Sequence, residues 1–146
     1  MHFVLVGLSH KTAPVAIREK LTFPAAVQAD ALMRLKQREG IAEAVIVSTC
    51  NRTEVYAVAS SDDGGVDEVI AFLAEYHDLD RHELTRYLYI VTGEAVIRHL
   101  FRVVASLDSM VIGEAQILGQ VKEAYDHALN AGVTARAYNK LFRQSF

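Results

Sequence analysis

The apolar run Phe3-Val4-Leu5-Val6-Gly7-Leu8, closed by the polar Ser9-His10-Lys11-Thr12, predicts a buried strand and then a loop. Thr12 is expected to cap a short helix with Pro14 in its first turn and Ile17 and Leu21 turned toward a core. Helical spacing returns from about Ala25 to Gln37, where Val27, Ala31, Leu32 and Leu35 form one stripe, and Gly40 supplies the stop. Two runs rich in β-branched and aromatic residues follow, 44–48 and 54–59, and both read as strands. Ser60-Ser61-Asp62-Asp63-Gly64-Gly65 reads as a surface loop, too short to divide two domains.

Val66, Val69, Ile70 and Leu73 predict a helix up to about His77, and 87–91 reads as a further strand. The rest is helical. From Glu94 to Ser106, Val96, Leu100, Val103 and Leu107 make one face and Ala95, His99, Arg102 and Ser106 another. From Glu114 to about Asn130, Ile117, Val121, Ala124 and Ala128 make the apolar stripe, with Gln116, Gln120, Glu123 and His127 as a polar seam. Residues 134–146 are helical again, with Tyr138, Leu141 and Phe142 apolar and Arg136, Lys140 and Arg143 cationic; no stop signal closes this helix. The order of elements is that of an α+β domain, a small βαββαβ unit with a mainly antiparallel sheet followed by C-terminal helices.

Composition narrows the class without naming a function. With 146 residues, 51% of them hydrophobic and 23% charged, the chain is one ordinary globular domain. A net charge of −3 argues against a nucleic-acid footprint over the whole surface. One cysteine excludes an intramolecular disulfide, and the histidines show no metal-ligand spacing, so a reducing cytoplasm and no metal are expected. No run approaches the length of a membrane span, so a soluble protein is expected. Neither Gly-Lys-Ser/Thr nor Gly-x-Gly-x-x-Gly occurs, so no dinucleotide is held by a recognisable motif.

That single cysteine, Cys50, sits in Ser48-Thr49-Cys50-Asn51-Arg52-Thr53-Glu54, a polar link between the two strands. A nearby cation and a polar, accessible setting favour the nucleophilic thiolate, whereas an inert cysteine is usually lodged among apolar side chains. Arg52 can fork a substrate carboxylate, Glu54 can receive an ammonium, and N–H groups of 49–52 can face an oxyanion. His99, on a polar helix face, is a general acid–base candidate. The segment 106–116 is the second unusual stretch, with small polar residues, Gly113 and Glu114 between two helices.

Three ordered blocks, 6–21, 48–56 and 106–122, resemble the N-terminal catalytic domain of the glutamyl-tRNA reductases. The resemblance implies that Cys50 attacks the ester of glutamyl-tRNA(Glu) to give a thioester. Hydride from NADPH then reduces the thioester to glutamate-1-semialdehyde, the first step from glutamate toward tetrapyrroles (porphyrins). It also implies a glutamyl pocket made of Thr49, Cys50, Asn51, Arg52, Ser109, Glu114, Ala115, Gln116 and Gln120, with His99 important for activity. On this reading Arg52 takes the side-chain carboxylate and an acid, Glu114 or Glu54, takes the α-ammonium.

The resemblance further implies a catalytic domain at 1–133, with 134–146 beginning a long connecting helix. The NADPH-binding and dimerisation domains lie outside this chain, the full-length protein is a homodimer, and the aldehyde passes to glutamate-1-semialdehyde aminotransferase. Two other readings of the residues stay open: a cysteine esterase or hydrolase with a Cys50/His99 dyad, and a non-catalytic RNA-binding module using Arg136, Lys140 and Arg143.

Overall fold

Strands whose residues are apolar on both sides need helices on both sides, and the computed structural model, which describes residues 1–105 and 117–146, has that arrangement. The elements are β1 (His2–Ser9), α1 (Val15–Lys20), α2 (Ala25–Lys36), β2 (Ile41–Ser48), β3 (Arg52–Ala59), α3 (Asp62–Tyr76), α4 (Arg81–Thr85), β4 (Tyr89–Thr92), α5 (Glu94–Val104), α6 (Ile117–Asn130) and α7 (Arg136–Ser145). The sheet runs β2-β3-β1-β4, with each neighbouring pair antiparallel. β1 pairs with β3 along its whole length, from His2 opposite Ala59 to Ser9 opposite Arg52.

Strand periodicity assigns the faces. Val4 and Ala59 point toward α3, where a Cβ on Gly65 would lie 2.5 Å from the Ala59 Cβ, so α3 crosses the sheet at glycine distance. On the opposite face Phe3 stacks on Tyr138 at 5.5 Å, and Tyr56 meets Phe142 edge-on at 5.6 Å, so α7 closes that side. α6 runs along the β2 edge, where Ala44 N–H donates to the Val133 carbonyl at 3.0 Å. That contact covers part of an edge strand that would otherwise offer unpaired backbone groups. No described helix is long and apolar enough to cross a membrane.

Several elements depart from the pattern read along the chain. The stretch 60–65 is not all loop: α3 begins at Asp62, with Ser61 as its cap accepting the Gly64 N–H at 3.1 Å and two aspartates in the first turn. Thr12 does not cap α1; its hydroxyl accepts the Ser9 N–H at 3.0 Å, and Pro14 stands at the cap position. The fourth strand starts at Tyr89 rather than Tyr87, because α4, capped by Asp80, takes up the chain before it. Strand β3 starts at Arg52, two residues earlier than its apolar run, which places Arg52 and Glu54 inside the sheet. The N-terminus of α7 is capped from a distant strand: Glu43 Oε1 accepts the N–H groups of Ala135 at 2.6 Å and Tyr138 at 3.0 Å. A carboxylate there satisfies orphan donors and complements the helix dipole.

Candidate active site

The link between β2 and β3 is tied down almost entirely through its backbone, which leaves one side chain outward. Thr49 N–H donates to the Arg52 carbonyl at 2.8 Å, and Thr49 Oγ1 accepts the N–H groups of Asn51 and Arg52, both at 3.1 Å. From outside the turn, His10 N–H donates to the Asn51 carbonyl at 2.9 Å. Arg18 Nε donates to the Cys50 carbonyl at 3.3 Å while its Nη1 holds the Ala13 carbonyl at 2.7 Å. The Cys50 side chain is exposed at the tip. Because Thr49 Oγ1 engages the Asn51 and Arg52 amides, the expected oxyanion donors of 49–52 reduce to the Cys50 N–H, which meets no acceptor among the described residues.

Two clefts open on Cys50. A cavity of about 460 Å³ is lined by Thr49, Cys50, Ser48 and Gln28 on one side and by Gln120, Glu123 and His127 of α6 on the other. The polar seam of α6 therefore faces Cys50, and Thr49, Cys50 and Gln120 come together from distant parts of the chain. A second cleft of about 320 Å³ is lined by Val15, Arg18, Glu19 and Thr22 with Cys50 and Asn51. An acyl transfer needs room on both sides of the reacting carbon, for the acyl group and for the leaving group, and these two clefts provide it. Ser109, Glu114, Ala115 and Gln116 lie outside the described residues.

Arg52 and Glu54 do not stand where the sequence reading put them. Glu54 is fully buried and Arg52 is 1% exposed. Alternation along β3 puts Arg52, Glu54 and Tyr56 in one row on the face covered by α5 and α7. The Glu54 carboxylate accepts from Tyr56 Oη at 2.8 Å, from Tyr89 Oη at 2.5 Å and from Arg52 Nη1 at 3.5 Å, and it holds His99 Nε2 in a very short contact. With its oxygens so engaged and no exposure, Glu54 has no place for a substrate ammonium; its partner is His99. His99 in turn is bonded to Glu54 and packed against the Tyr89 ring, with no described bond to Cys50.

Burial alone would raise the Glu54 pKa, but the hydrogen bond and charge of His99, the Arg52 guanidinium and the Tyr89 hydroxyl outweigh it and hold the carboxyl below its usual range. Burial first, and then the Glu54 charge, push the Tyr56 phenol well above its usual range, so it stays a donor.

Gly7 makes this network possible. It pairs with Glu54 on one side and Tyr89 on the other, so the three positions align across three strands. A Cβ at Gly7 would lie 2.8 Å from the Thr53 carbonyl oxygen and 2.9 Å from Glu54 Cγ. The bare glycine lets the Tyr89 side chain reach over β1 to the carboxylate. Gly7→Ala is expected to cost about 1–3 kcal/mol, because a backbone carbonyl is among the atoms that must move. Urea unfolding measures this, and an unchanged midpoint would contradict the crowding. Residue types and spacing did not mark Gly7, Tyr56, Tyr89 or Arg18; the readable signal was three polar side chains, Arg52, Glu54 and Tyr56, at alternate positions of one strand.

Comparison with known proteins agrees with this architecture. A family model described as the glutamyl-tRNA(Glu) reductase N-terminal domain matches residues 6–146. The glutamyl-tRNA reductase of Exiguobacterium sp. is 49% identical over 145 residues, covering 99% of this chain and 32% of that protein. That of Geobacillus kaustophilus is 50% identical over 145 residues, with the same coverage of 99% and 32%. The solved structure of glutamyl-tRNA reductase from Methanopyrus kandleri aligns with 98% of this chain and 32% of its own, at 34% identity and a TM-score of 0.78. This chain spans about a third of the length of these relatives. It belongs to the glutamyl-tRNA reductase N-terminal domain family.

Proposed function

We propose that this chain is the acyl-accepting part of an NADPH-dependent glutamyl-tRNA reductase, in which Cys50 takes glutamate from glutamyl-tRNA(Glu) as a thioester. The observation that carries the reading is the exposed Cys50, held by its backbone at the junction of two clefts with Thr49 and Gln120 beside it. The thiolate adds to the ester carbonyl, an S–C bond forms, the C–O bond to the terminal ribose breaks, and the ribose oxygen takes up a proton. An aminoacyl ester is already activated, so this step needs positioning more than a strong base. His99 serves the proton transfers, and the glutamyl pocket comprises Thr49, Cys50, Asn51 and Gln120 with Ser109, Glu114, Ala115 and Gln116. Glu114 takes the α-ammonium.

NADPH supplies hydride to the thioester in the complete reaction, but no sequence in this chain has the glycine-rich form that cradles a dinucleotide. No step of the reduction is therefore assigned to these residues. The catalytic domain is 1–133, and 134–146 begins a helix that joins it to NADPH-binding and dimerisation domains. The whole protein works as a cytoplasmic homodimer at the entry to tetrapyrrole synthesis, handing its aldehyde to glutamate-1-semialdehyde aminotransferase.

This division of labour has a direct test. Mixed with glutamyl-tRNA and NADPH, the 146-residue chain should hold glutamate on Cys50 or lose it to water, and should form no semialdehyde. Aldehyde, detected by trapping with a hydroxylamine reagent, would place the reductant site in this chain and overturn the assignment.

A further inference from the structure

The geometry around Glu54 is lopsided for a simple buried ion pair. Its Oε2 stands 3.5 Å from Arg52 Nη1 but 2.5 Å from the Tyr89 hydroxyl, and closer still to His99 Nε2. The carboxylate is thus aimed at the histidine and the tyrosine more than at the arginine. A carboxylate can only accept, so the imidazole nitrogen facing it carries the proton. In the neutral ring the other nitrogen, Nδ1, then holds a lone pair. It belongs to a side chain that is 16% exposed, and it has no bond to a described residue. The ring is fixed a second way, by the Tyr89 ring at a centroid distance of 5.6 Å. Tyr89 reaches both groups only because Gly7 lies between it and Glu54.

We propose that Glu54 is a positioning residue that fixes His99 with its proton on Nε2 and so presents Nδ1 as the group that takes the Cys50 thiol proton and gives it to the departing ribose oxygen during acyl transfer. When Nδ1 takes a proton the ring becomes an imidazolium, and the buried Glu54 carboxylate offsets the new charge. Tyr89 and Tyr56 keep the carboxylate pointed at the ring. The tautomer stands independently of the chemistry at Cys50; its use in acyl transfer rests on the thioester reading above.

Nitrogen-resolved NMR of the histidine rings in the intact chain tests the tautomer. At ~pH 9, above the usual imidazole range, His99 should carry its proton on Nε2 and show Nδ1 as an acceptor. In Glu54→Gln the side-chain amide can donate to Nε2, and the tautomer ratio should move toward Nδ1–H by about tenfold or more. A proton on Nδ1 in the unaltered chain, or a ratio that Glu54→Gln does not move, overturns the proposal; the first outcome needs no variant to fold.

The kinetic arm is a double-mutant cycle on Cys50 acylation. Glu54→Gln and His99→Asn should each slow it by about tenfold or more, and the double variant should be no slower than His99→Asn alone. Additive losses, or no loss in Glu54→Gln, contradict a role through His99. Failure of the unaltered chain to acylate would sink the thioester reading while leaving the tautomer result standing.

Discussion

Cys50→Ser should abolish transfer of glutamate from glutamyl-tRNA to the protein while leaving the fold intact. The thiol hangs from the tip of a turn whose bonds run through Thr49, Asn51, His10 and Arg18, and the Cys50 side chain is exposed. Exchanging sulfur for oxygen therefore removes no packing, and unfolding free energy should change by less than about 0.5 kcal/mol. The chemistry changes far more, because a serine hydroxyl has no adjacent base in this turn to ionise it, and losing the nucleophile typically costs on the order of 10³-fold or more in rate. Single-turnover transfer of labelled glutamate measures the rate, and urea unfolding measures the stability. Transfer that persists in the serine variant would assign the nucleophile elsewhere.

Glu54→Ala should have the opposite profile, with a large loss of stability. It would remove the buried carboxylate that faces the Arg52 guanidinium, itself 1% exposed, and that accepts from the hydroxyls of Tyr56 and Tyr89. Breaking a buried pair from one side costs about 3–5 kcal/mol, a large part of the roughly 5–15 kcal/mol that holds an ordinary domain together. The urea midpoint should fall sharply.

The same network sets a pH dependence. The Glu54 carboxyl is held below its unfolded value of about 4.3, so its contribution is fully present above that pH and is lost as pH falls through the lower folded value. Over that acid range the unaltered chain should lose more stability than Glu54→Gln, and the two should converge. Parallel curves would mean that Glu54 is not charged in the folded protein.

The sheet and helices were largely legible because their physics is local. Apolar runs rich in β-branched residues built β1, β2 and β3, and Ala31, Leu32 and Leu35, then Val69, Ile70 and Leu73, then Val96, Leu100 and Val103, and finally Ile117, Val121, Ala124 and Ala128 became buried helix faces. The misreading at 60–65 came from treating two glycines as loop formers. Gly65 is needed because Ala59 and Val4 approach it from the sheet, a tertiary fact no local window contains.

The same limit explains Glu54. Its charge and its nearness to Cys50 pointed to substrate, whereas its role depends on a register that sets Gly7 between it and Tyr89, 35 residues away. Cys50 was legible because the argument for it needs only its neighbours and its place between two strands. The family was legible from three sequence blocks, two of which the structure brings together at Cys50. The third lies mostly in 106–116 and is represented at the cavity by Gln120.

The central claim is covalent, so the measurement that tests it most directly is mass spectrometry of the chain after brief mixing with glutamyl-tRNA and acid quenching. The account expects a mass increase of one glutamyl group, lost on treatment with hydroxylamine and carried by the peptide containing Cys50. An unmodified protein, or a glutamyl group on any other residue, would contradict it.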